Sequence, residues 1–287
     1  MKKTLNFIKL FFLFYYYKLI YNFNKKKGIN EKSEFVISLT SFNKRIKYLH
    51  LVIESLFRQH HKPKKIYLWL SSEDIKNKDD LKKLRKLESR GLSIKIINEN
   101  IKSYKKLIYT YDEIIKNGYN INYIITADDD VFYPPYWSQK LINKSKEELC
   151  VSCYRGHNLK YINNSFNYEY SMNNNTSLNN PSWSLLPTGC SGVCYPINSL
   201  SDFLMDYKFL ELSPNGDDIW FKAVTLSNGF KSCRIEKDNI HFPPLITSFG
   251  SGLYEENVKQ GMNDSKLNNT FEYFISNKKI KNLSYFE

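Results

Sequence analysis

Between residues 35 and 127 the chain alternates short apolar runs with helical patterns, and this alternation constrains the fold more than any other feature. FVISL (35–39) is a short, mostly apolar run, which predicts a buried strand. After it Ile46, Leu49, Val52, Ile53, Leu56 and Phe57 recur at helical spacing. Pro63 breaks the chain, and KIYLWLS reads as a second strand. Asp79 to Arg90 predicts a polar surface helix closed by Gly91, and LSIKIIN a third strand. Tyr104 to Asn117 predicts a helix with Leu107, Ile108, Tyr111, Ile114 and Ile115 on its apolar face and Gly118 as its cap; YIITA is the fourth strand. Four such units imply an α/β fold: a parallel sheet, helices on both faces, right-handed crossovers and a Rossmann-like half-domain.

The second half of the chain is less regular. CVSCY (150–154) predicts another strand, and residues 155–182, rich in Asn, Ser and Tyr, read as a long loop of the kind that carries function. SLLPTGCSGVCYP reads as strand, tight glycine turn, strand. NGDDIWFKAVTLSNGF predicts a helix from about Asp217 to Gly229, FKSCRIE a last strand, and the chain from Tyr254 a helical or frayed tail. No internal repeat or long low-complexity linker interrupts this order. The expected division is therefore an N-terminal segment (1–30) and one catalytic domain (31–287), the latter made of a first half (31–135), a second half (136–250) and a tail (251–287).

Charge narrows the class of partner. The net charge is +13, but seven of the positive charges are Lys2, Lys3, Lys9, Lys18, Lys25, Lys26 and Lys27, in a stretch with no acid. Arginine is scarce beside lysine, so the chain lacks the usual reader of bases and phosphates, and a nucleic-acid partner is not expected. MKKTLNFIKLFFLFYYYKLIYNF is interrupted by Lys9 and Lys18, whereas a membrane span needs about 20 uninterrupted apolar residues. No small-residue cleavage site follows it. Lysine beside Phe, Leu and Tyr suits a helix lying on an anionic membrane surface; a helix packed on the domain, or on a partner, is the plainer reading. The expected location is the cytoplasm, peripheral to the inner face of the membrane. Five cysteines, an odd number without a signal peptide, predict reduced thiols. Cys150, Cys153, Cys190 and Cys194 could offer sulfur to zinc, but their spacing is poor for a zinc knuckle and buried thiols are expected instead.

The chemistry concentrates in IITADDDVFYPPYW. Asp128, Asp129 and Asp130 end the fourth strand, at the carboxyl edge where open α/β sheets bind ligands. Three adjacent carboxylates repel unless a cation is present, and hard oxygen ligands suit Mg2+ or Mn2+. In extended backbone Asp128 and Asp130 would face one ligand and Asp129 the other side.

The acidic run after a hydrophobic strand resembles the nucleotide-sugar motif of glycosyltransferases with the GT-A fold. VISLTSFNKRI followed by ESLFRQHHKPKKIYLWLS is similar to the opening strand, helix and second strand of family-2-like bacterial members; TGCSGVCYP is similar to their acceptor-side turn, and NGDDIWF to their acidic motif heading a helix. The resemblance spans about residues 34–245 and implies the GT-A fold with a mixed, mainly parallel sheet. It implies that Asp130 binds the metal directly, and that Asp128 contacts the nucleotide ribose or a metal-bound water. It puts Thr40, Ser41 and Arg45 near the base and ribose, and Lys106 near uracil or the pyrophosphate. It suggests His241 as a further metal ligand. For Lys106 and His241, an ordinary surface lysine and a structural histidine are the plain alternatives.

Asp217 and Asp218 head a helix whose dipole keeps a carboxylate ionised, as the base of an inverting transfer requires; simple N-capping is the alternative. The resemblance selects Asp218 as the base, with Asp217 close behind. Gly189 and Gly192 would let a sugar approach the turn. Trp183, Trp220 and Tyr195 could stack on sugars or belong to the core, and His60 and His61 read as solvated. The expected function is a metal-dependent, inverting transfer from a nucleotide-diphosphate sugar to a glycan or lipid-linked acceptor in cell-surface polysaccharide synthesis. Two rivals are a glycoside hydrolase, which would have no use for three adjacent acids, and a non-catalytic membrane-surface or nucleic-acid-binding module, which would leave the aspartates unexplained.

Overall fold

The computed structural model describes residues 2–247, 262–281 and 283–286, in two compact units. The first comprises Met1–Lys140 and the described part of Phe242–Gly252. Its elements are α1 (Lys2–Phe23), β1 (Phe35–Thr40), α2 (Ile46–Phe57), β2 (Ile66–Ser71), α3 (Lys78–Arg85), β3 (Leu92–Ile97), α4 (Lys105–Lys116) and β4 (Tyr123–Thr126). The strands lie in the order β4–β1–β2–β3 and all pairs are parallel. Phe35, Ile37 and Leu39 of β1 are fully buried, as the mostly apolar run requires of a central strand.

The chain steps outward from β1 to β3 and then returns through α4 to lay β4 on the other side of β1. The point where strand order reverses therefore lies between β1 and β4, with Ser38 level with Thr126. Polar groups inside this layer are satisfied: Thr110 Oγ1 lies 2.7 Å from Ser38 Oγ and accepts from Trp69 Nε1 at 2.8 Å.

The N-terminal helix is docked on this unit by one face. Leu10 and Tyr17 are buried, and Leu13, Phe14, Ile20 and Tyr21 pack beside a cluster that includes Leu51, Phe132 and Leu245. Tyr17 stacks on Phe132 with ring centres 4.7 Å apart. The linker after α1 is tied down by Arg90, which pairs with both oxygens of Glu54 and donates from Nε to the Lys26 carbonyl. The other face of α1 exposes Phe7, Ile8, Phe11, Phe12, Tyr15, Tyr16, Leu19 and Phe23. No described helix is long and apolar enough to cross a membrane.

The second unit comprises Leu141–His241 and the described part of Leu253–Glu287. After α5 (Trp137–Glu148) come β5 (Val151–Cys153), β6 (Gly156–Asn158), β7 (Tyr161–Ile162), β8 (Ser165–Phe166), α6 (Tyr168–Asn173), β9 (Leu185–Pro187), β10 (Val193–Pro196), α7 (Phe209–Leu212), α8 (Asp217–Ser227), β11 (Ser232–Arg234) and α9 (Met262–Ser276). Here β5 pairs with β11 in parallel and with β10 antiparallel, while β6–β9 and β7–β8 are antiparallel, so the strands of this unit are mixed.

Several expectations are corrected or made specific. Residues 155–182 are not a structureless loop, since they form β6, β7, β8 and α6. The strand, turn and strand around Gly189 are present as β9, the turn and β10, with β9 paired to β6 and β10 to β5. His61 is not simply solvated; it is half-buried, edge-on to Phe35 at 4.7 Å. Trp220, left open between sugar stacking and the core, is core, fully buried among Phe209, Tyr273 and Phe274. The expected tail lies outside the described residues from Tyr254 to 261, and from Met262 it is helix. Cys150, Cys153, Cys194 and Cys233 are buried thiols and Cys190 is exposed; no group of three or more His, Cys, Asp or Glu among the described residues is arranged to hold a metal ion.

His50 of α2 is buried under α1, its ring 4.5 Å from Tyr21. Burial, then the Lys83 charge, holds it down at about 4. A depressed folded-state value contributes stability that is complete above the unfolded value, about 6.5, and is lost as pH falls toward 4. We expect the melting temperature to drop between pH 7 and pH 4, with roughly 2–3 kcal/mol attached to this ring. His50→Phe should flatten that slope in thermal melts across the range; an unchanged slope would remove His50 as a cause.

Candidate active site

Thr40 and Ser41 end β1, and Asp128 to Asp130 follow β4. Parallel pairing puts both at the same edge of the sheet, at the switch point. Ser41 Oγ donates to Asp129 Oδ2 at 2.6 Å. Arg45, in the turn that enters α2, donates from Nη1 to Asp129 Oδ1 at 2.7 Å and also pairs with Asp130 Oδ2 at 3.0 Å. Lys106, on the first turn of α4, lies 3.8 Å from Asp128 Oδ1. Thr40 turns away and donates to the Trp69 carbonyl at 2.8 Å.

The simple alternation expected of extended backbone does not hold, because Asp129 and Asp130 share Arg45 while Asp128 has Lys106. The reason lies in the backbone after the strand. Asp128 N–H donates to the Tyr133 hydroxyl at 2.7 Å, and Leu245 N–H donates to the Asp130 carbonyl at 2.6 Å. Val131 also bridges to Pro244, and Phe132 N–H donates to the Pro243 carbonyl. The triad is thus clamped by the aromatic-proline turn beneath it and by the returning stretch from Phe242. A cleft of about 530 Å3 opens beside it, lined among others by Lys44, Arg45, Lys47, Asn77, Asp129 and Asp130.

Electrostatics match that arrangement. Asp130 is pushed up by burial and then by the neighbouring Asp129, against the opposing pull of Arg45 and Lys106. Arg45 is held up by Asp129 and Asp130 despite its own burial. The donor set fits a hard divalent cation: Asp128 and Asp130 offer carboxylate oxygens, and added positive charge would reverse what burial does to Asp130. Mg2+ and Mn2+ bind through one or two carboxylates together with substrate oxygens and water, so a third protein ligand is not required.

A neighbouring cluster was not singled out from the sequence. Lys105 is buried and donates to Asp74 Oδ2 at 2.6 Å, Ser71 Oγ at 2.8 Å and Asn100 Oδ1 at 2.9 Å. It fixes the start of α4 against the end of β2, and so aims Lys106. The one available signal was two consecutive lysines opening an otherwise apolar helix.

In the second unit, Asp217 and Asp218 head α8, as expected. Asp217 is buried. Asp218 Oδ1 accepts the Gly189 N–H at 2.9 Å, so the glycine turn and the acidic helix start are one assembly. The turn is closed by Gly192 N–H donating to the Gly189 carbonyl at 2.9 Å, with Gly192 at φ 99°, a left-handed value glycine accepts without strain. Trp183 is half-buried against Tyr285, with Lys231 Nζ 5.3 Å from its ring centre. Tyr195 is buried beneath Asp218 and Asp217, which together with burial raise its hydroxyl. His241 is exposed, and its charged neighbours in this unit are Arg155 and His157.

No protein-family model matches the sequence, and no curated protein matches it significantly. Solved structures do match in shape. Residues 1–349 of S. aureus TarS superpose with a TM-score of 0.50 at 14% identity, over 85% of this chain and 72% of that one. The chain has the GT-A fold. The same TarS segment in complex with UDP-GlcNAc gives 0.47 at 15% identity, over 72% of this chain and 57% of that one. A mannosyltransferase from Pyrobaculum calidifontis, in complex with GDP-Man and Mn2+, gives 0.44 at 9% identity, over 80% and 65%. Within this GT-A chain the acidic run at β4 and the acidic start of α8 occupy one unit each.

Arg45 tests the electrostatic account. Arg45→Met leaves Asp129 and Asp130 buried without their shared cation and should cost about 2–4 kcal/mol in urea unfolding. Adding Asp129→Asn should recover at least half of that loss. If Arg45→Met costs nothing, the triad is not balanced by this residue.

Proposed function

We propose that the chain is a glycosyltransferase that takes a sugar from a nucleotide-diphosphate donor. The observation that carries the reading is the clamped acidic triad at the carboxyl end of β4, beside the switch point, with Arg45 and Lys106 as fixed counter-charges. Such a site suits a diphosphate, whose negative charge needs cations and whose departure needs that charge stabilised. TarS, which shares the fold, has been solved with UDP and with UDP-GlcNAc, and the same donor class is part of the proposal here.

Asp128 and Asp130 would hold Mn2+ or Mg2+, which supplies Lewis-acid charge to the leaving diphosphate when bound. Lys106, aimed by the buried Lys105–Asp74 pair, faces the same phosphates. Ser41 fixes Asp129, and Thr40 and Ser41 border the nucleoside. In the second unit Asp218 is the base that takes the proton from the acceptor hydroxyl, one oxygen held by Gly189 and the helix dipole keeping the carboxylate ionised. Attack from the face opposite the leaving group gives inversion. Asp217 is a buried support for that helix start, Gly189 and Gly192 shape the acceptor side, and Trp183 borders it. The acceptor class is a glycan or lipid-linked glycan of surface polysaccharide synthesis.

Nucleotide release from UDP-, GDP- and dTDP-sugars, with and without EDTA, tests the reading. Asp130→Asn should remove metal-dependent turnover by at least ~100-fold while the melt stays cooperative. Asp218→Asn should keep donor affinity within about twofold and lower transfer by ~100- to 10,000-fold. No nucleotide release by the wild type with any donor would end the proposal, and sugar release without a nucleotide donor would favour a hydrolase.

Peripheral membrane contact belongs to the same reading. The outward apolar face of α1, with Lys9, Lys18, Lys25, Lys26 and Lys27 nearby and no acid, fits an anionic bilayer surface. The full chain should co-sediment with vesicles containing phosphatidylglycerol and not with pure phosphatidylcholine. Phe12→Ser with Leu19→Ser should release it without loss of the fold; retained binding would exclude this face.

A further inference from the structure

We propose that the second unit contains an oxyanion subsite, built by Arg155, His157, Arg234 and His241, which receives a phosphate or carboxylate group of the acceptor. The acceptor role rests on the proposed transfer; the anion site stands on its own geometry.

Arg155 directly precedes β6 and His157 is its central residue, two positions apart on extended backbone and therefore on one side of it. Gly156 between them donates to Asn239 Oδ1 at 2.9 Å, and Ile240 N–H donates to the Tyr154 carbonyl at 3.0 Å, which ties the stretch ending in His241 alongside. Arg234, at the end of β11, is fully buried.

The cluster is only partly compensated: Arg234 Nε and Nη2 donate to the Leu178 and Thr176 carbonyls, but other donors are left over. His157 is 2% exposed, yet among the described residues neither of its ring nitrogens has a hydrogen-bond partner. Arg155 Nε and Arg234 Nη1 are also buried without an acceptor. Burial, and after it the basic neighbours Arg155, Arg234 and His241, hold His157 down at about 3. Asp238 is the one carboxylate that acts on Arg234, and its Oδ1 already accepts from Ser177. Unpaired donors in a buried cationic group are costly, and an oxyanion is the ligand that satisfies them.

The cluster also adjoins the candidate base. Arg155 Nη1 donates to Thr188 Oγ1 at 2.8 Å, and Thr188 N–H returns a bond to the Arg155 carbonyl at 3.0 Å. Thr188 is followed by Gly189, whose N–H holds Asp218. A charged group bound at Arg155 would therefore sit next to the turn that positions the acceptor hydroxyl.

The test is a titration of the full chain with inorganic phosphate, read from the histidine ring resonances in NMR. His241 and His157 should shift and saturate. Arg155→Gln, which keeps a donor to Thr188 and removes the charge, should weaken that saturation at least tenfold while UDP affinity stays within twofold. Absence of ring shifts in the wild type overturns the subsite without touching the donor reading, and so does an Arg155→Gln variant that binds phosphate as the wild type does. Equal loss of UDP and phosphate in Arg155→Gln would assign the cluster to the donor and overturn the acceptor role. Phosphate binding in a chain that binds no nucleotide would sustain the subsite and sink the transferase.

Discussion

The shared ion pair of Arg45 with Asp129 and Asp130 is the interaction on which the proposed donor site depends. Three consecutive carboxylates at the end of a buried strand repel one another, and burial worsens the conflict by favouring their neutral forms. A fixed guanidinium resolves it without neutralising the whole run: Asp129 is fully engaged, by Arg45 and Ser41, while Asp128 lies at ion-pair distance from Lys106 and Asp130 shares Arg45. The sheet topology supplies the geometry. Because β1 and β4 are parallel neighbours, the turn after β1 and the acids after β4 emerge at one edge. Arg45 reaches the triad because it lies in that turn.

The same loop connects the site to the N-terminal helix. Phe132 follows the triad by two residues and stacks on Tyr17, while Leu245, whose N–H holds Asp130, belongs to the same apolar cluster. The helix is therefore part of the wall that positions the acids, besides being a surface element. Its two faces differ: the inward side packs on the domain, and the outward side keeps eight large apolar residues exposed among the described side chains.

Much of the first unit was legible because periodicity reports burial directly. A two-sided strand such as FVISL has to be mostly apolar, and the helices between strands have to show one apolar face, so element type and order follow from pattern. The acids were legible because local patterning gives no structural reason to crowd them. What escaped was set by distant partners. Nothing local says that β9 pairs with β6 and β10 with β5, so the strand, turn and strand are legible while the ladders they join are not. The Asn-rich stretch 155–182 reads as loop because its strands are two or three residues long and lack a period. Lys105 looks like its neighbour Lys106, and only the fold shows that one is buried on Asp74 while the other faces Asp128.

The two units solve opposite electrostatic problems in different ways. In the first, a carboxylate cluster is met by cations that the fold itself provides, which leaves it near neutrality and able to exchange one counter-charge for another. In the second, the compensation is partial: Asp238 acts on Arg234, whose Nε and Nη2 donate to the Leu178 and Thr176 carbonyls, but among the described residues the His157 ring, kept neutral by burial and by its basic neighbours, and the donors Arg155 Nε and Arg234 Nη1 are left without partners. A fold that keeps such a deficit loses stability unless something from solution makes it up. The deficit thus points outward, to an anionic group carried by a bound molecule.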